Sequence, residues 1–553
     1  MTNLVTNVES TATAHPEETA IHYDGTASSY EAFWSRTGAF AAGLAEAGIE
    51  SGDRVGVYLP NLPQFVIAFH GALRAGAVVV PMNPQYKSRE IDHLLSDSGA
   101  EVVVTLSDLV PVVEQVREGT AVEHVVSVGG DAEGATPFGE FLVEAAPEVV
   151  ERADDDVAVQ PYTSGTTGRP KGVLLTHENL ASNARMAMDL VPGGITTDDR
   201  SLGVLPLFHI YGMTVVMNTS LFAGAAYYPL PEWDAQTALG LIESAELTIM
   251  QGVPAMYNDV INQPNLDGFD LSSLRFVNSG GSSLPVEVLR RFEARFGIEL
   301  YEGYGLTETS PVTHFNSPDA RRVGSIGQPL PGVDSMVVDG EFEPVERIEE
   351  GPVDEDETDL DAITGEVVIA GPNVMAGYHD RPEANEGAFT ERDGKRWFHT
   401  GDVGYWDEDG FFYIVDREKH VIVTGGYNVY PREVEELLFE HPDVADAAVV
   451  GVPDERRGET VKAFVVPTSA ASEDPSGEEA DSDSATTPDS DVTGDELREY
   501  CLDNLAEHKH PREVAFVEEL PRTTTGKVQK FELREREDGE GAAGSEHDGE
   551  VAR

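Results

Sequence analysis

The most informative stretch of this 553-residue chain is rich in glycine and small hydroxyl residues; it reads Tyr162-Thr163-Ser164-Gly165-Thr166-Thr167-Gly168-Arg169-Pro170-Lys171-Gly172. Glycines and small side chains let backbone N–H groups approach phosphate oxygens, hydroxyls add donors and a Mg²⁺ ligand, and a lysine adds positive charge. A Walker A loop is excluded, because that motif has Gly before its lysine and Ser or Thr after it. The stretch therefore predicts a phosphate-binding loop of another kind.

Strand-like and helix-like patterns alternate on the N-terminal side of this loop. The predicted strands span 53–60, 77–81 and 101–106, and the predicted helices span 30–44, 61–75 and 88–98, the first of them opened by a capping box at 28–31. Such alternation indicates right-handed βαβ units and largely parallel sheets. The expected fold class is α/β, with a large N-terminal region of βαβ-type sheets flanked by helices and a small, mobile α+β C-terminal domain.

The end of the chain has its own pattern and predicts the small domain. Its expected helices span 432–441 and 495–507, and its expected strands span 447–452, 461–467 and 514–517. The predicted division is a domain over 1–415, a hinge over 416–420, a small domain over 421–537 and an acidic tail over 538–553. The acidic segments 341–361 and 469–493 are predicted insertions. The second has no Lys or Arg and too few apolar residues to order itself.

The charge balance is strongly acidic. Asp and Glu number 100 against 37 Lys and Arg, which gives a formal net charge of −63. Such a chain repels nucleic acid and anionic membranes, so neither is an expected partner. At molar salt the Debye length falls to about 3 Å and the internal repulsion is screened. The composition therefore predicts a halophilic protein from a salt-rich cytoplasm, as in haloarchaea.

Cysteine usage and hydropathy favour a cytoplasmic location. The single cysteine, Cys501, excludes an internal disulfide and is predicted to pack in the helix at 495–507. No apolar run approaches 18 residues, which predicts no transmembrane segment, and the first residues lack the pattern of a signal peptide.

Five further motifs follow the phosphate loop in order: Pro206-Leu207-Phe208-His209-Ile210-Tyr211-Gly212, Tyr301-Glu302-Gly303-Tyr304-Gly305-Leu306-Thr307-Glu308-Thr309, Thr400-Gly401-Asp402, Asp416-Arg417-Glu418-Lys419 and Pro521-Arg522-Thr523-Thr524-Thr525-Gly526-Lys527. Together with the loop they resemble the signature motifs of the adenylate-forming superfamily, which includes acyl-CoA synthetases, luciferases and peptide-synthetase adenylation domains. The resemblance covers roughly residues 10–535.

The resemblance implies a two-step reaction. A carboxylate attacks the α-phosphate of ATP to give an acyl-adenylate and pyrophosphate, and a thiol then displaces AMP. ATP, Mg²⁺ and coenzyme A are the implied cofactor, metal and co-substrate. Because the carboxylate is already a nucleophile, catalysis consists mainly of positioning and electrostatic stabilisation. The implied class is an AMP-forming acid–thiol ligase.

By this resemblance, Lys527 bridges the acyl carboxylate and the α-phosphate, Thr307 contacts the α-phosphate, and His209 gates the acyl pocket. Thr166 and Glu308 are the implied Mg²⁺ ligands, since hard cations prefer oxygen donors. The residues implied to contact ATP are Thr163, Ser164, Gly165, Thr166, Thr167, Gly168, Lys171, Gly281, Ser282, Glu302, Gly303, Tyr304, Gly305, Asp402 and Arg417.

The resemblance also implies a conformational step. Lys419 matches the hinge position, where rotation of the small domain withdraws Lys527 and presents another face for thioester formation. Gly425 and Gly426 are then implied to line the pantetheine tunnel. Some family members carry lysines where this chain has Val423 and Gly425, so the coenzyme A contacts of this loop depart from the family pattern.

The predicted acyl pocket is apolar and lacks a cation; its candidates are His209, Tyr211, Gly212, Met213, Val253, Pro254, Val277, Gly280 and Gly305. This argues against amino acids and dicarboxylates and favours a fatty acid. A coumarate- or benzoate-like aryl acid remains the alternative.

Three other functions fit the sequence less well. A peptide-synthetase module needs a carrier domain, and only an acidic tail follows Lys527. Nothing in the sequence supports a luciferase-like oxygenase. A non-catalytic sensor is expected to lose Lys527 or Glu308, and both are present. A homodimer is compatible with the sequence, which does not decide the oligomeric state.

Overall fold

The computed structural model describes residues 3–163, 170–263, 266–353, 358–425, 427–454, 456–468, 492–523 and 528–534. These residues form four β-sheets packed with helices, which confirms the predicted α/β class. Residues 469–491 of the predicted insertion at 469–493, and the tail at 538–553, lie outside the described residues. The boundaries predicted between domains and at the hinge stay predictions.

The first sheet aligns the carboxyl ends of its parallel strands along one edge. In spatial order, its nine described strands are Gln328–Pro329, Val312–Phe315, Leu300–Gly305, Phe276–Ser279, Ile249–Gly252, Arg200–Gly203, Ala226–Pro229, Thr19–Tyr23 and Thr26–Ser29. The six strands from Leu300–Gly305 to Thr19–Tyr23 pair in parallel, and the others pair antiparallel at the two ends. Ligands of open α/β sheets bind beyond such carboxyl ends.

The second sheet combines a parallel part with an antiparallel hairpin. Its parallel strands, in spatial order, are Thr136–Pro137, His124–Val128, Val102–Leu106, Arg54–Tyr58, Val78–Pro81 and Val157–Val159. The strand Lys171–Thr176 then pairs antiparallel with Val157–Val159, Tyr162–Thr163 and Gly377–Tyr378. The three predicted strands at 53–60, 77–81 and 101–106 are confirmed as parallel neighbours.

The third and fourth sheets follow along the chain. The third has the strands Asp334–Val338, Gly365–Ala370, Phe389–Arg392, Lys395–Trp406 and Phe412–Arg417, all antiparallel. The fourth has the strands Ile422–Thr424, Tyr427–Val429, Val444–Asp454, Gly458–Pro467 and Glu513–Phe516, of which the last pairs in parallel. The fourth sheet has its own buried core, which includes Cys501. Burial raises the pKa of this thiol to about 12, which agrees with the packing role predicted for it.

The helices cover the sheet faces. The described α-helices are Leu4–Ala14, Tyr30–Glu46, Pro63–Arg74, Ser88–Ser98, Val110–Val116, Phe138–Phe141, His177–Met188, Thr219–Ala223, Ala235–Ala245, Pro254–Ile261, Val286–Phe296, Leu360–Ile363, Pro382–Ala388, Pro431–Glu440 and Gly494–Asn504. Short 3₁₀ turns span Ser107–Leu109, Arg117–Gly119, Leu266–Gly268, Thr307–Thr309 and Glu418–His420, and a π-helix spans Tyr211–Asn218. None of the described helices combines the length and apolar character that crossing a membrane requires.

Helix caps explain two boundaries. The predicted capping box at 28–31 is wrong: its second residue, Ser29, accepts a hydrogen bond from the Ala32 N–H and starts the helix Tyr30–Glu46. Thr493, the last residue of the predicted acidic insertion, forms a capping box with Glu496 and starts the helix Gly494–Asn504. The hydroxyl group at each position satisfies an N–H group that has no partner within its helix.

Candidate active site

The predicted site residues that the structure describes border two adjoining cavities at the carboxyl edge of the first sheet. A cavity of about 660 Å³ opens between this edge and the second sheet's hairpin, and residues from the third sheet and the C-terminal region also line it. A neighbouring cavity of about 410 Å³ continues towards the fourth sheet. Gly281, Gly303, Tyr304, Gly305 and Arg417 border both cavities.

The phosphate-loop hairpin is anchored at its base. Thr163 pairs with Lys171 across the hairpin, and both residues border the larger cavity. The Tyr162 hydroxyl donates to Asp97 over 2.9 Å, and Asp97 forms a 2.6 Å ion pair with Arg381. The predicted ATP contacts Ser164, Gly165, Thr166, Thr167 and Gly168 lie outside the described residues. The two ends of the loop are therefore held at the cavity by a partly buried network.

Lys171 and Glu308, 137 residues apart in sequence, meet around one aromatic side chain. The Lys171 ammonium lies 5.0 Å from the centroid of the Tyr378 ring. The Tyr378 hydroxyl donates to Glu308 Oε1 over 2.9 Å. Burial, together with the Glu308 charge, raises the pKa of Tyr378, so the phenol remains a hydrogen-bond donor at neutral pH. Tyr378 thereby links the predicted phosphate-binding lysine to the predicted metal ligand.

The turn that carries Thr307 and Glu308 is fixed by the backbone around it. The Met375 N–H donates to the Glu308 carbonyl over 2.8 Å, and the buried Asn373 amide donates to the Thr309 carbonyl over 2.9 Å. Gly305 enters this turn, where a Cβ atom would lie 1.9 Å from the Pro311 carbonyl oxygen. Only glycine permits so close an approach, so packing alone requires glycine at position 305.

A carboxylate of the third sheet is held between a phenol and a guanidinium. Asp402 is 2% exposed and lies opposite Arg417 on the neighbouring strand. The Arg417 Nε atom lies 2.7 Å from Asp402 Oδ1, and the Tyr304 hydroxyl donates to Asp402 Oδ2. The Asp402 charge raises the pKa of Arg417. Each carboxylate oxygen retains a lone pair, so Asp402 can still accept hydrogen bonds from a ligand.

Glu302 borders the smaller cavity together with Gly281 and Ser282. Its side chain is almost fully buried and accepts a long hydrogen bond, 3.4 Å, from the Leu284 N–H. Burial raises the pKa of Glu302 to about 7, against the attraction of Arg432. The carboxyl group is therefore poised between its neutral and charged forms near physiological pH.

The remaining predicted residues divide between the cavity and the undescribed segments. His209, Thr307 and Lys419 border the larger cavity, and burial lowers the pKa of Lys419. Lys527 and Gly426 lie outside the described residues. Thr523 and Gln529, which lie on either side of Lys527 in sequence, both border the cavity.

Comparisons with known proteins identify the family. A family model described as AMP-binding enzyme matches residues 8–379, and a model described as the AMP-binding enzyme C-terminal domain matches residues 433–527. The chain belongs to the AMP-binding enzyme family. This confirms the resemblance to the adenylate-forming superfamily.

Similar AMP-binding enzymes span nearly the whole chain. A long-chain-fatty-acid–CoA ligase of Bacillus subtilis is 36% identical over 95% of this chain and 93% of its own length. A feruloyl-CoA synthase of Amycolatopsis is 36% identical over 94% of this chain and 96% of its own. The solved structure of ATP-bound MatB from Rhodopseudomonas palustris superposes with a TM-score of 0.84 and 31% identity, covering 97% of this chain and 98% of that one.

The polar residues at the cavity that sequence reasoning about this AMP-binding enzyme missed include Gln251, Asn278 and Tyr378. Tyr378 follows no motif, and only its pairing with the phosphate-loop strand brings it to the site. Asn278 shares one face of its strand with Phe276, and only the structure shows that this face borders the cavity. The predicted pocket residue Val277 points to the opposite face and is a wrong assignment. Of the predicted pocket set, His209, Tyr211, Gly280 and Gly305 do border the cavity.

Proposed function

We propose that the chain is an ATP-dependent fatty acid–CoA ligase that forms an acyl-adenylate and then acyl-CoA, AMP and pyrophosphate. The observation that carries the proposal is the single cavity on which the nucleotide motifs and an apolar acyl wall meet. Lys171, Glu308 and Arg417 border one part of it. The apolar wall consists of Ala187, Leu190, Val215, Phe276, Val312 and Phe315.

The nucleotide end is proposed to bind ATP through complementary groups. Thr163 and Lys171, with the loop between them, face the β- and γ-phosphates. Tyr304 stacks on the adenine, and Asp402, which is ion-paired with Arg417, accepts hydrogen bonds from the ribose hydroxyls. Opposite charges fixed before the ligand arrives require little reorganisation during the reaction, which is how such sites stabilise a transferring phosphoryl group.

Glu308 fits the proposed Mg²⁺. It presents carboxylate oxygens, one of them oriented by Tyr378, beside the phosphate-loop hairpin. Mg²⁺ in nucleotide enzymes is bound by one or two carboxylates together with phosphate oxygens and water. When bound, the metal neutralises phosphate charge. Thr166 is the second proposed ligand and belongs to the undescribed loop.

The two lysines of the C-terminal region are proposed to act at different stages. Lys527 neutralises charge between the attacking carboxylate and the α-phosphate. Lys419 lies at the pivot about which the small domain turns before thioester formation, and Gly426 leaves room for the pantetheine arm. The match of a separate C-terminal family model over residues 433–527 supports a small domain able to take this part.

The alternative function is an aryl-acid CoA ligase. The feruloyl-CoA synthase of Amycolatopsis is as similar to this chain as the Bacillus fatty acid relative, with 36% identity to each. The cavity also contains the aromatic side chains of Phe208, Tyr211 and Phe276, against which an aryl ring can stack.

The acidic surface supports a cytoplasmic, halophilic enzyme. A net charge of −63 destabilises a compact state in dilute buffer and is screened in molar salt. We expect the melting temperature to rise as KCl is increased from about 0.1 M to about 3 M. A melting temperature that is indifferent to KCl contradicts this part of the proposal.

Gel filtration at the same salt concentrations tests for a homodimer.

The decisive experiment measures thioester formation by mass spectrometry in about 3 M KCl. The reaction contains ATP, Mg²⁺ and coenzyme A with acetate, hexanoate, palmitate, benzoate or coumarate. A thioester with hexanoate or palmitate supports the fatty acid proposal, and one formed only with the aryl acids supports the alternative. Pyrophosphate release without any thioester contradicts both and indicates another acceptor.

A further inference from the structure

The apolar wall of the acyl cavity contains a polar patch, formed by Gln251, Asn278 and Tyr211. Gln251 and Asn278 are register partners on adjacent parallel strands, so their side chains lie on the same face of the first sheet. Tyr211 lies in the π-helix that covers this face. All three residues border the larger cavity, and each is less than 7% exposed.

The polar patch has unused hydrogen-bonding capacity. The Asn278 Nδ2 group donates to the Tyr211 hydroxyl over 2.8 Å, while Asn278 Oδ1 is buried without a partner. Turning the Asn278 amide over exchanges the unpaired atom and does not remove it. Buried amide atoms without partners are unfavourable, so a ligand that satisfies them gains binding energy.

The patch is held rigidly. The Tyr257 hydroxyl donates to the Asn278 backbone carbonyl over 2.6 Å and so holds the backbone of this strand in place. The Tyr211 ring packs against Gly280, where a Cβ atom would lie 3.2 Å from the ring. Groups fixed in this way do not relax to satisfy one another, so they are preorganised for a ligand.

We propose that this patch recognises a hydroxyl group on the acyl part of the substrate, so that the preferred acids are hydroxylated. This inference rests on the proposed acid–CoA ligase function and specifies its substrate class. The patch offers both amide donors and amide acceptors, and a hydroxyl group can donate to one and accept from another. All three side chains are neutral, which matches a neutral substituent and not a second carboxylate. The surrounding Phe276, Val215 and Leu190 contact the hydrocarbon.

The test compares each acid with its hydroxylated analogue. One series contains decanoate and decanoates hydroxylated at successive carbons, and a second pair is cinnamate and 4-coumarate. We expect kcat/KM for the best-placed hydroxyl to exceed that of the parent acid by about 10- to 100-fold, the range for one or two satisfied buried groups. A larger kcat/KM ratio of hydroxylated to parent acid in the decanoate series indicates an aliphatic substrate. A larger ratio for 4-coumarate over cinnamate indicates an aryl substrate.

Two variants assign the effect to the patch. Gln251→Met and Asn278→Leu replace the amides with apolar side chains of similar size and are expected to bring the ratio close to 1, with the KM for ATP unchanged. The matched control is Met250→Leu, on the opposite face of the same strand, which should keep the wild-type ratio. Thermal melting identifies any variant that fails to fold. If neither variant folds, the wild-type ratio of kcat/KM for the hydroxylated acid to that for the parent acid decides whether the inference holds.

The outcomes separate the two proposals. Equal kcat/KM for plain and hydroxylated acids in the wild-type enzyme, or a preference that survives in both folded variants, overturns the polar-patch inference and leaves the ligase proposal standing. Absence of thioester with every acid overturns the ligase proposal itself.

Discussion

The two ends of the larger cavity are built in different ways. At the nucleotide end, Arg417 and Tyr304 contact Asp402, which borders the adjoining smaller cavity, and Tyr378 separately donates to Glu308. At the acyl end, apolar side chains surround a polar patch in which Asn278 Oδ1 is buried without a partner. The nucleotide end is therefore organised around charges that the ligand complements. The shape and polarity of the acyl end depend instead on which side chains of each strand face the cavity. The first arrangement serves chemistry common to every substrate, and the second allows substrates to be distinguished.

Removing the proposed bridging lysine should have the largest effect, and the effect should fall on acyl-adenylate formation. Lys527→Ala is expected to slow acyl-adenylate formation by about 10²–10³-fold, since a preorganised charge at the transition state is lost. ATP–pyrophosphate exchange with the best acid measures this step. Lys395→Ala, which removes a solvent-exposed ammonium paired with Asp334, is the control and should leave the rate unchanged. An unaltered exchange rate in Lys527→Ala contradicts the role assigned to it.

Glu302, which borders the smaller cavity beside the nucleotide end, should make the free energy of unfolding depend on pH. Its pKa is about 7 in the folded protein and close to the ordinary value of 4.5 when unfolded. Between these values the folded state binds more protons, so this group's contribution to stability is fully present below about pH 4.5 and is lost as pH rises through about 7. The full effect is on the order of 3 kcal/mol.

The corresponding measurement is urea unfolding of the wild type and Glu302→Gln in about 3 M KCl across this pH range. The difference in unfolding free energy between the two proteins should shift in favour of the variant as pH rises. A difference that is independent of pH would show that Glu302 titrates normally. Glu299→Gln, a change three residues away at a partly buried tyrosine hydrogen bond, serves as the comparison.

The two ends also differ in how far the sequence predicts them. The motifs predicted which charged residues share a site, because phosphate chemistry restricts the residue types and their local spacing. The parallel strands at 53–60, 77–81 and 101–106 were predictable from runs of β-branched residues. The acyl wall was not, because Val277 and Asn278 are neighbours in sequence and only the register of the strand decides which of them faces the cavity. Tyr378 was missed for a related reason, since it reaches Glu308 through pairing of distant segments.

Tyr378 provides a test of the nucleotide end that no motif suggested. Tyr378→Phe keeps the ring beside Lys171 and removes the hydroxyl that donates to Glu308. A hydrogen bond to a charged group contributes about 1.5–3 kcal/mol, so we expect kcat/KM for ATP to fall at least about tenfold at limiting Mg²⁺. Saturating Mg²⁺ should reduce the loss if the hydroxyl orients the metal ligand.

Tyr301→Phe is the matched control for Tyr378→Phe, because it removes a similar phenol–carboxylate hydrogen bond, to Glu299, outside the larger cavity. We expect it to leave the Mg²⁺ dependence of kcat/KM unchanged. If both variants lose activity equally, or if Mg²⁺ restores neither, Tyr378 contributes to packing and not to the orientation of Glu308.

The smallest expected effect is at the acyl end and concerns the length of the substrate. Val215 lies in the π-helix, is 4% exposed and borders the cavity, so Val215→Phe adds volume directly to the acyl wall. Each methylene excluded from an apolar pocket is worth about 1 kcal/mol or slightly more, and we expect the palmitate-to-hexanoate ratio of kcat/KM to fall about five- to tenfold. The KM for ATP should not change, because the nucleotide end is organised by its own ion pairs. Val216→Phe enlarges the next residue of the same helix, which does not border the cavity, and controls for disturbance of the helix. If Val215→Phe raised the KM for ATP as much as it altered the length preference, the two ends of the cavity would be coupled, and the distinction between a shared nucleotide end and a variable acyl end would fail.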